Sequence, residues 1–136
     1  MKFISFAQFW NPDNSLNTDA IDLYLKSAIF YAPNSKFMLF INTDAPAWYI
    51  KKYPKERFIT DKGVTNSRIS YASIQYRKDA AAILTKLIKY LETCLEYDAV
   101  AGFGLDGGED GQFMQWTGRT MDYIGDYSIP MKNAFH

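Results

Sequence analysis

Apolar residues fall along this chain in short dense runs divided by clusters of Asn, Asp, Pro and Gly. Lys2 to Trp10 (KFISFAQFW) is rich in Phe and Ile and stops at the turn cluster Asn11-Pro12-Asp13-Asn14, which predicts a first strand. Thr18 then stands as the cap of a helix with Asp19 and Asp22 in its first turn, where the positive helix end favours them. Ile21, Tyr24, Leu25, Ala28 and Ile29 give that helix one apolar stripe, and Pro33-Asn34 ends it. Lys36 to Thr43 (KFMLFINT) holds an unbroken apolar run, the pattern of a strand covered on both faces.

After Asp44-Ala45-Pro46, Ala47 to Tyr53 predicts a short helix closed by Pro54, and Lys55 to Arg68 reads as a long, polar, irregular loop. Ala72 to Tyr97 carries the clearest helical signal. Ala80, Ile83, Leu84, Leu87, Ile88, Leu91 and Leu95 recur at helical spacing, with Lys78, Lys86 and Lys89 on a solvated face. Ala99 to Leu105 (AVAGFGL) predicts a third buried strand, and Tyr127 to His136 the opening of a further helix. The order β-α-β-α-β calls for an α/β fold with a parallel sheet and right-handed crossovers. No repeat, low-complexity run or linker divides the chain, so residues 1–136 read as a single domain.

Composition narrows the functional classes. Lys and Arg total 15 and Asp and Glu total 15, so no net field draws the chain to nucleic acid or to an anionic membrane. The single cysteine, Cys94, excludes an internal disulfide and a thiolate zinc cluster and reads as buried filler on a helix face. Met1 leads directly into a predicted strand with neither a signal peptide nor a membrane-spanning run, so a cytoplasmic location is expected. The only histidine is His136, which leaves no Ser-His-Asp triad or histidine metal site within one chain.

Aromatic residues make up 17% of the chain and gather near predicted loops. Each predicted strand delivers a similar set of side chains to its carboxyl end, where parallel α/β proteins keep their chemistry. The first brings Trp10 and Asn11, the second Asn42, Asp44 and Trp48, and the third Asp106, Glu109, Asp110, Gln112 and Trp116. Trp rings stack on the apolar faces of a pyranose while amides and carboxylates pair with its hydroxyls, so a carbohydrate ligand suits the set. The bland alternative is that Trp residues close a sheet mouth and that Asn, Asp and Gly only make turns. Gly102, Gly104 and Gly107 spell a dinucleotide fingerprint in the wrong register, with the first glycines inside the strand and no helix after the third. Asp106, Glu109 and Asp110 lack the spacing of a calcium loop, so neither metal nor cofactor is expected.

The segment VAGFGLDGGEDGQFMQW, followed by DYS at Asp126 to Ser128 and by Met131 to Phe135, resembles the fourth-strand region of beta-galactosidase-like glycoside hydrolases. These are TIM-barrel enzymes of the retaining clan A, family 42 and its relatives. FINTDAPAWYIKKYP resembles their third strand and its loop, YASIQYRKDAAAILTKLIKYLE the helix that leads into strand four, and Lys2 to Trp10 a second strand. The resemblance implies a hydrolase ancestry with an acid/base glutamate after strand four and a nucleophile after strand seven, the two carboxyls roughly 5 Å apart. It places Gln112, which cannot cycle a proton, at the acid/base position, with Glu109 as a neighbouring candidate. A whole barrel takes about 250 residues. The 136 residues here correspond to a partial TIM barrel of about three strands, without the nucleophile strand. The strand-end sets and the resemblance together give the expectation of a unit acting on or binding carbohydrate, with Trp10, Asn11, Asp44, Trp48, Asp106, Asp110 and Trp116 as the binding residues and no catalytic competence alone. Its open sheet is expected to be completed in a homo-oligomer or by a complementing chain. The alternatives are a non-catalytic saccharide-binding module and a small α/β interaction protein.

Overall fold

In the computed structural model, residues 2–108 and 125–135 are described. Strands β1 (Lys2–Ser5), β2 (Phe37–Asn42) and β5 (Val100–Asp106) form a parallel sheet in the order β1-β2-β5, so the predicted β-α-β-α-β path is present. Helix α2 (Thr18–Tyr31) connects β1 to β2, and α4 (Ile74–Leu91) precedes β5.

The first strand is shorter than its sequence suggests. After Ser5 the chain turns into a single helical turn, α1 (Phe6–Phe9). Gln8 reaches back so that its Oε1 accepts the Ser5 N–H at 2.8 Å, the return half of a capping box. Phe6, Phe9 and Trp10, spaced by three and one, all turn inward and are buried. That spacing is helical and was masked by the β-propensity of Phe and Ile around it. Asn17, not Thr18, caps α2, accepting the Ala20 N–H at 3.2 Å.

The central strand also departs from expectation. Leu39 and Ile41 are buried, whereas Met38 is 45% exposed, so β2 is fully covered on one face only. Ile4 pairs with Ile41, and Leu39 with Phe103, so these residues share a face. Ile21 and Leu25 of α2 and Ile83, Leu87 and Leu91 of α4 join them in one core. The other face carries Met38 and Phe40 in register with Gly102 and Gly104. A methyl group at Gly104 would stand 2.5 Å from the Phe40 ring, and one at Gly102 3.1 Å from Met38 Sδ. The glycines of β5 thus make room for large neighbours on β2, which explains why they sit inside a strand.

Helix α3 (Ala47–Lys52) lies where the sequence places it. The stretch read as an irregular loop instead forms an antiparallel pair, β3 (Arg57–Ile59) and β4 (Thr65–Ile69). Its turn closes through Gly63 N–H to Thr60 O at 3.0 Å and Thr60 N–H to Val64 O at 2.9 Å, with Gly63 at φ +75°. The pair escapes a hydrophobicity reading because its buried side chains are few, notably Phe58 and Ile69. Helix α4 stops at Leu91, short of the predicted Tyr97. The Thr93 hydroxyl donates to Tyr90 O at 2.6 Å and competes with the helical ladder, so Leu95 lands outside the core at 96% exposure. Cys94 follows the helix half-buried, and burial pushes its thiol pKa up. Lys78, Lys86 and Lys89 are exposed as expected. Helix α5 (Ile129–Ala134) is capped by Ser128, whose Oγ accepts the Met131 N–H at 3.3 Å.

Gly104→Ala is expected to destabilise the chain by about 1–3 kcal/mol, the range for forcing extra atoms into a packed site. Urea unfolding reads the change, and a second substitution, Phe40→Leu, restores part of it. An unaltered unfolding midpoint in Gly104→Ala would contradict the close approach of Phe40.

Candidate functional site

Beyond the ends of β2 and β5 lies a cluster of polar groups held by several elements. Thr43 fixes its centre: its N–H and its hydroxyl donate to Asp106 O at 2.8 and 2.7 Å, and its own carbonyl accepts the Tyr76 hydroxyl from α4. Asp44 follows. Its Oδ1 accepts the Tyr71 hydroxyl at 2.8 Å and the Gly108 N–H at 3.1 Å, while Oδ2 lies 3.9 Å from Arg68 Nε. Burial, followed by the hydrogen bond to Asp44, pushes the Tyr71 phenol well above its ordinary pKa. Tyr76 is raised chiefly by burial, with the Asp44 charge adding to it.

Asp106 is the second carboxylate. It is 9% exposed, and its Oδ1 is buried with no hydrogen-bond donor among the described residues. A carboxylate oxygen so placed retains unfilled acceptor capacity, because an ionised carboxyl only accepts. A third carboxyl stands on the neighbouring segment: the Ser70 hydroxyl donates to Asp126 Oδ2, and the Ser128 N–H donates to Asp126 Oδ1 at 3.0 Å. Tyr127 N–H reaches Ile59 O at 2.7 Å. The chain leaving β5 is therefore fastened at Gly108 to Asp44, and on its return at Asp126 and Tyr127 to β3 and the approach to α4.

The predicted site residues separate on these facts. Asp44 and Asp106 both stand at the carboxyl edge, Asp44 just past β2 and Asp106 at the end of β5, tied through the hydrogen bonds between Thr43 and Asp106. Trp10 and Asn11 do not end a strand, since α1 intervenes. Trp10 is 2% exposed and cannot offer a stacking face to a sugar. Its indole N–H donates to Asn14 Oδ1 at 3.0 Å, and its ring meets Phe6, Trp48, Tyr49 and Tyr76. Asn11 serves the turn, donating from Nδ2 to Ser15 Oγ at 3.0 Å. Trp48, half-buried, donates its indole N–H to Trp10 O at 3.1 Å and packs edge-on against that ring at 5.3 Å. Trp10 lies in the hydrophobic core and Trp48 packs against it. Glu109, Asp110, Gln112 and Trp116 lie outside the described residues.

Sequence reasoning missed Arg68, Ser70 and Tyr71, which fall in and just after the supposed loop. Ser73 caps α4 by accepting the Tyr76 N–H at 3.0 Å, and the S-Y pair shortly before it was the available signal. Asp126 was present in the DYS motif without a role. Among the described residues no group of three or more His, Cys, Asp or Glu is placed to hold a metal ion, and no helix is long and apolar enough to cross a membrane.

The fold defines the class as a mixed α/β protein with a three-stranded parallel sheet. No protein-family model matches the chain, and searches of curated proteins and of solved structures likewise give no match.

The raised phenols set a pH response. A tyrosine whose folded pKa exceeds the unfolded value of about 10 favours folding below that pH and loses the contribution as pH rises through the folded value. Tyr24, pushed up to about 12 by burial, behaves the same way as Tyr71 and Tyr76. The urea midpoint is expected to fall as pH climbs past about 10, with phenolate absorbance appearing late. Ionisation of every tyrosine at the ordinary pH in the folded chain would refute this.

Proposed function

We propose that this chain is a carbohydrate-recognising α/β unit of the beta-galactosidase-like type, a partial barrel that holds a saccharide at the carboxyl ends of β2 and β5 and does not cleave it alone. The observation that carries the reading is the buried Asp106 Oδ1 without a donor among the described residues, adjoining Asp44 at the strand ends. A sugar hydroxyl would supply such a donor once the ligand opens a path to this atom, which is closed to solvent in the unliganded chain, and hydrogen bonds to charged groups contribute about 1.5–3 kcal/mol each. The Asp44 carboxylate, already occupied by Tyr71 and Gly108, acts as the frame that fixes the strand ends. Retaining hydrolysis needs two carboxyls, one as acid/base and one as nucleophile. With Gln112 at the position that the motifs match to the acid/base, the motifs favour binding without turnover.

Self-association accompanies this reading. The outer edges of β1 and β5 carry no partner strand among the described residues, and Leu105 on β5 is 51% exposed. Open edges of this kind pair readily with another chain. A homo-oligomer or a complementing chain would cover them. Sedimentation over a range of concentrations is expected to show a dimer or larger species. A monomer throughout would count against this part of the reading alone.

Calorimetric titration with a panel of galactosides and glucosides tests the binding claim. At least one is expected to bind saturably, with Asp106→Ala weakening it about tenfold or more, the equivalent of about 1.4 kcal/mol. Asn11→Ala is expected to leave binding unchanged. No heat from any sugar, or affinity indifferent to Asp106, would remove the proposal, and steady release of nitrophenol from nitrophenyl galactoside would show that the chain cleaves.

A further inference from the structure

Away from the strand ends, an open cleft of about 560 Å³ lies between the start of α4, the short 3₁₀ turn Pro54–Glu56 and α5. Its size falls within the range of small-molecule sites, roughly 300–1,000 Å³. Ile74 and Ile129 form apolar walls, both largely exposed, with Pro130 beside them and Asn133 and Gln75 as amides. Gln75 is already engaged, donating to Asp79 Oδ2 at 2.9 Å. Two side chains of opposite charge complete the lining, Arg77 and Glu56. They form no ion pair with each other or with any described residue.

That combination selects a ligand by elimination. A simple anion gains Arg77 but meets the like charge of Glu56, and a simple cation meets the reverse. An exposed single charge pair is worth little in any case. A neutral saccharide finds no aromatic ring in the lining on which to stack. A molecule carrying both charges, separated by an apolar body, satisfies Arg77, Glu56 and the two isoleucines together. We propose that this cleft binds a short apolar peptide or amino acid in its zwitterionic form, with the carboxylate at Arg77, the ammonium at Glu56 and the side chains against Ile74 and Ile129. The site is separate from the Asp106 cluster and does not depend on carbohydrate recognition there.

The test uses the unaltered chain and three probes: L-leucyl-L-leucine, its N-acetyl form and its C-terminal amide. The free dipeptide is expected to give saturable NMR shifts centred on Ile74 and Ile129, leaving Asp106 unmoved. Loss of either terminal charge is expected to weaken binding about threefold, and Arg77→Gln and Glu56→Gln are expected to do the same. A galactoside in excess is expected not to displace the dipeptide. Absence of saturable shifts, equal binding of the capped forms, or indifference to both substitutions would overturn the proposal. Should either variant fail to fold, the capped ligands carry the same discrimination on the native chain.

Discussion

Two donors of Thr43, its N–H and its hydroxyl, converge on one acceptor, the carbonyl oxygen of Asp106, while the Thr43 carbonyl receives the Tyr76 hydroxyl. The residue stands just past the end of the central strand, so this one position joins β2 to β5 and both to α4. All of these groups are in or next to the buried interior, where an unmade hydrogen bond costs more than a made one gains. Any shift of α4 along the sheet would leave Thr43 O without its donor. Any slip of β5 against β2 would strand the Thr43 hydroxyl. The positions of Asp44 and Asp106, and hence the site, depend on that shared constraint.

A second layer of order comes from rings. Phe6, Phe9, Trp10, Trp48, Tyr49 and Tyr76 form a contiguous set between α1, α3 and α4, most of them meeting edge to face at 5.2 to 5.6 Å. Such contacts add to area burial when the hydroxyl or indole N–H finds a partner. Tyr49 donates to Asp79 Oδ2 at 2.7 Å, and both tryptophans donate their indole N–H. The excess of aromatic residues in this chain is thus invested in joining short elements that are individually weak, α1 being four residues and α3 six.

How much of this was legible in the sequence depends on how far each feature is local. The parallel order of strands could be read, because apolar runs such as FMLFIN and AVAGFGL are self-contained signals. Helix α4 could be read for the same reason, although its end was set by a Thr93 side-chain bond that periodicity does not carry. The β3–β4 pair could not, since its strands are short and mostly polar and are recognised by each other more than by their own composition. Within the candidate site, Asp44 and Asp106 were found because strand-end acids are a positional signal. Arg68, Ser70 and Tyr71 were not; Tyr71 and Ser70, for instance, are placed by contacts across 27 and 56 residues of chain. Trp10 was misplaced by reading a helical triplet of aromatics as strand.

The fastening of the chain on either side of the stretch between Gly108 and Gly125 has a consequence for how this protein can change. Gly108 is tied to Asp44, and Asp126 and Tyr127 are tied to Ser70 and Ile59. A substitution at Asp44 therefore loosens the end of β5, and one at Ser70 loosens the entry to α5. These two side chains hold segments far apart in sequence, so they are the positions where a single replacement would be felt on both sides of the strand-end cluster.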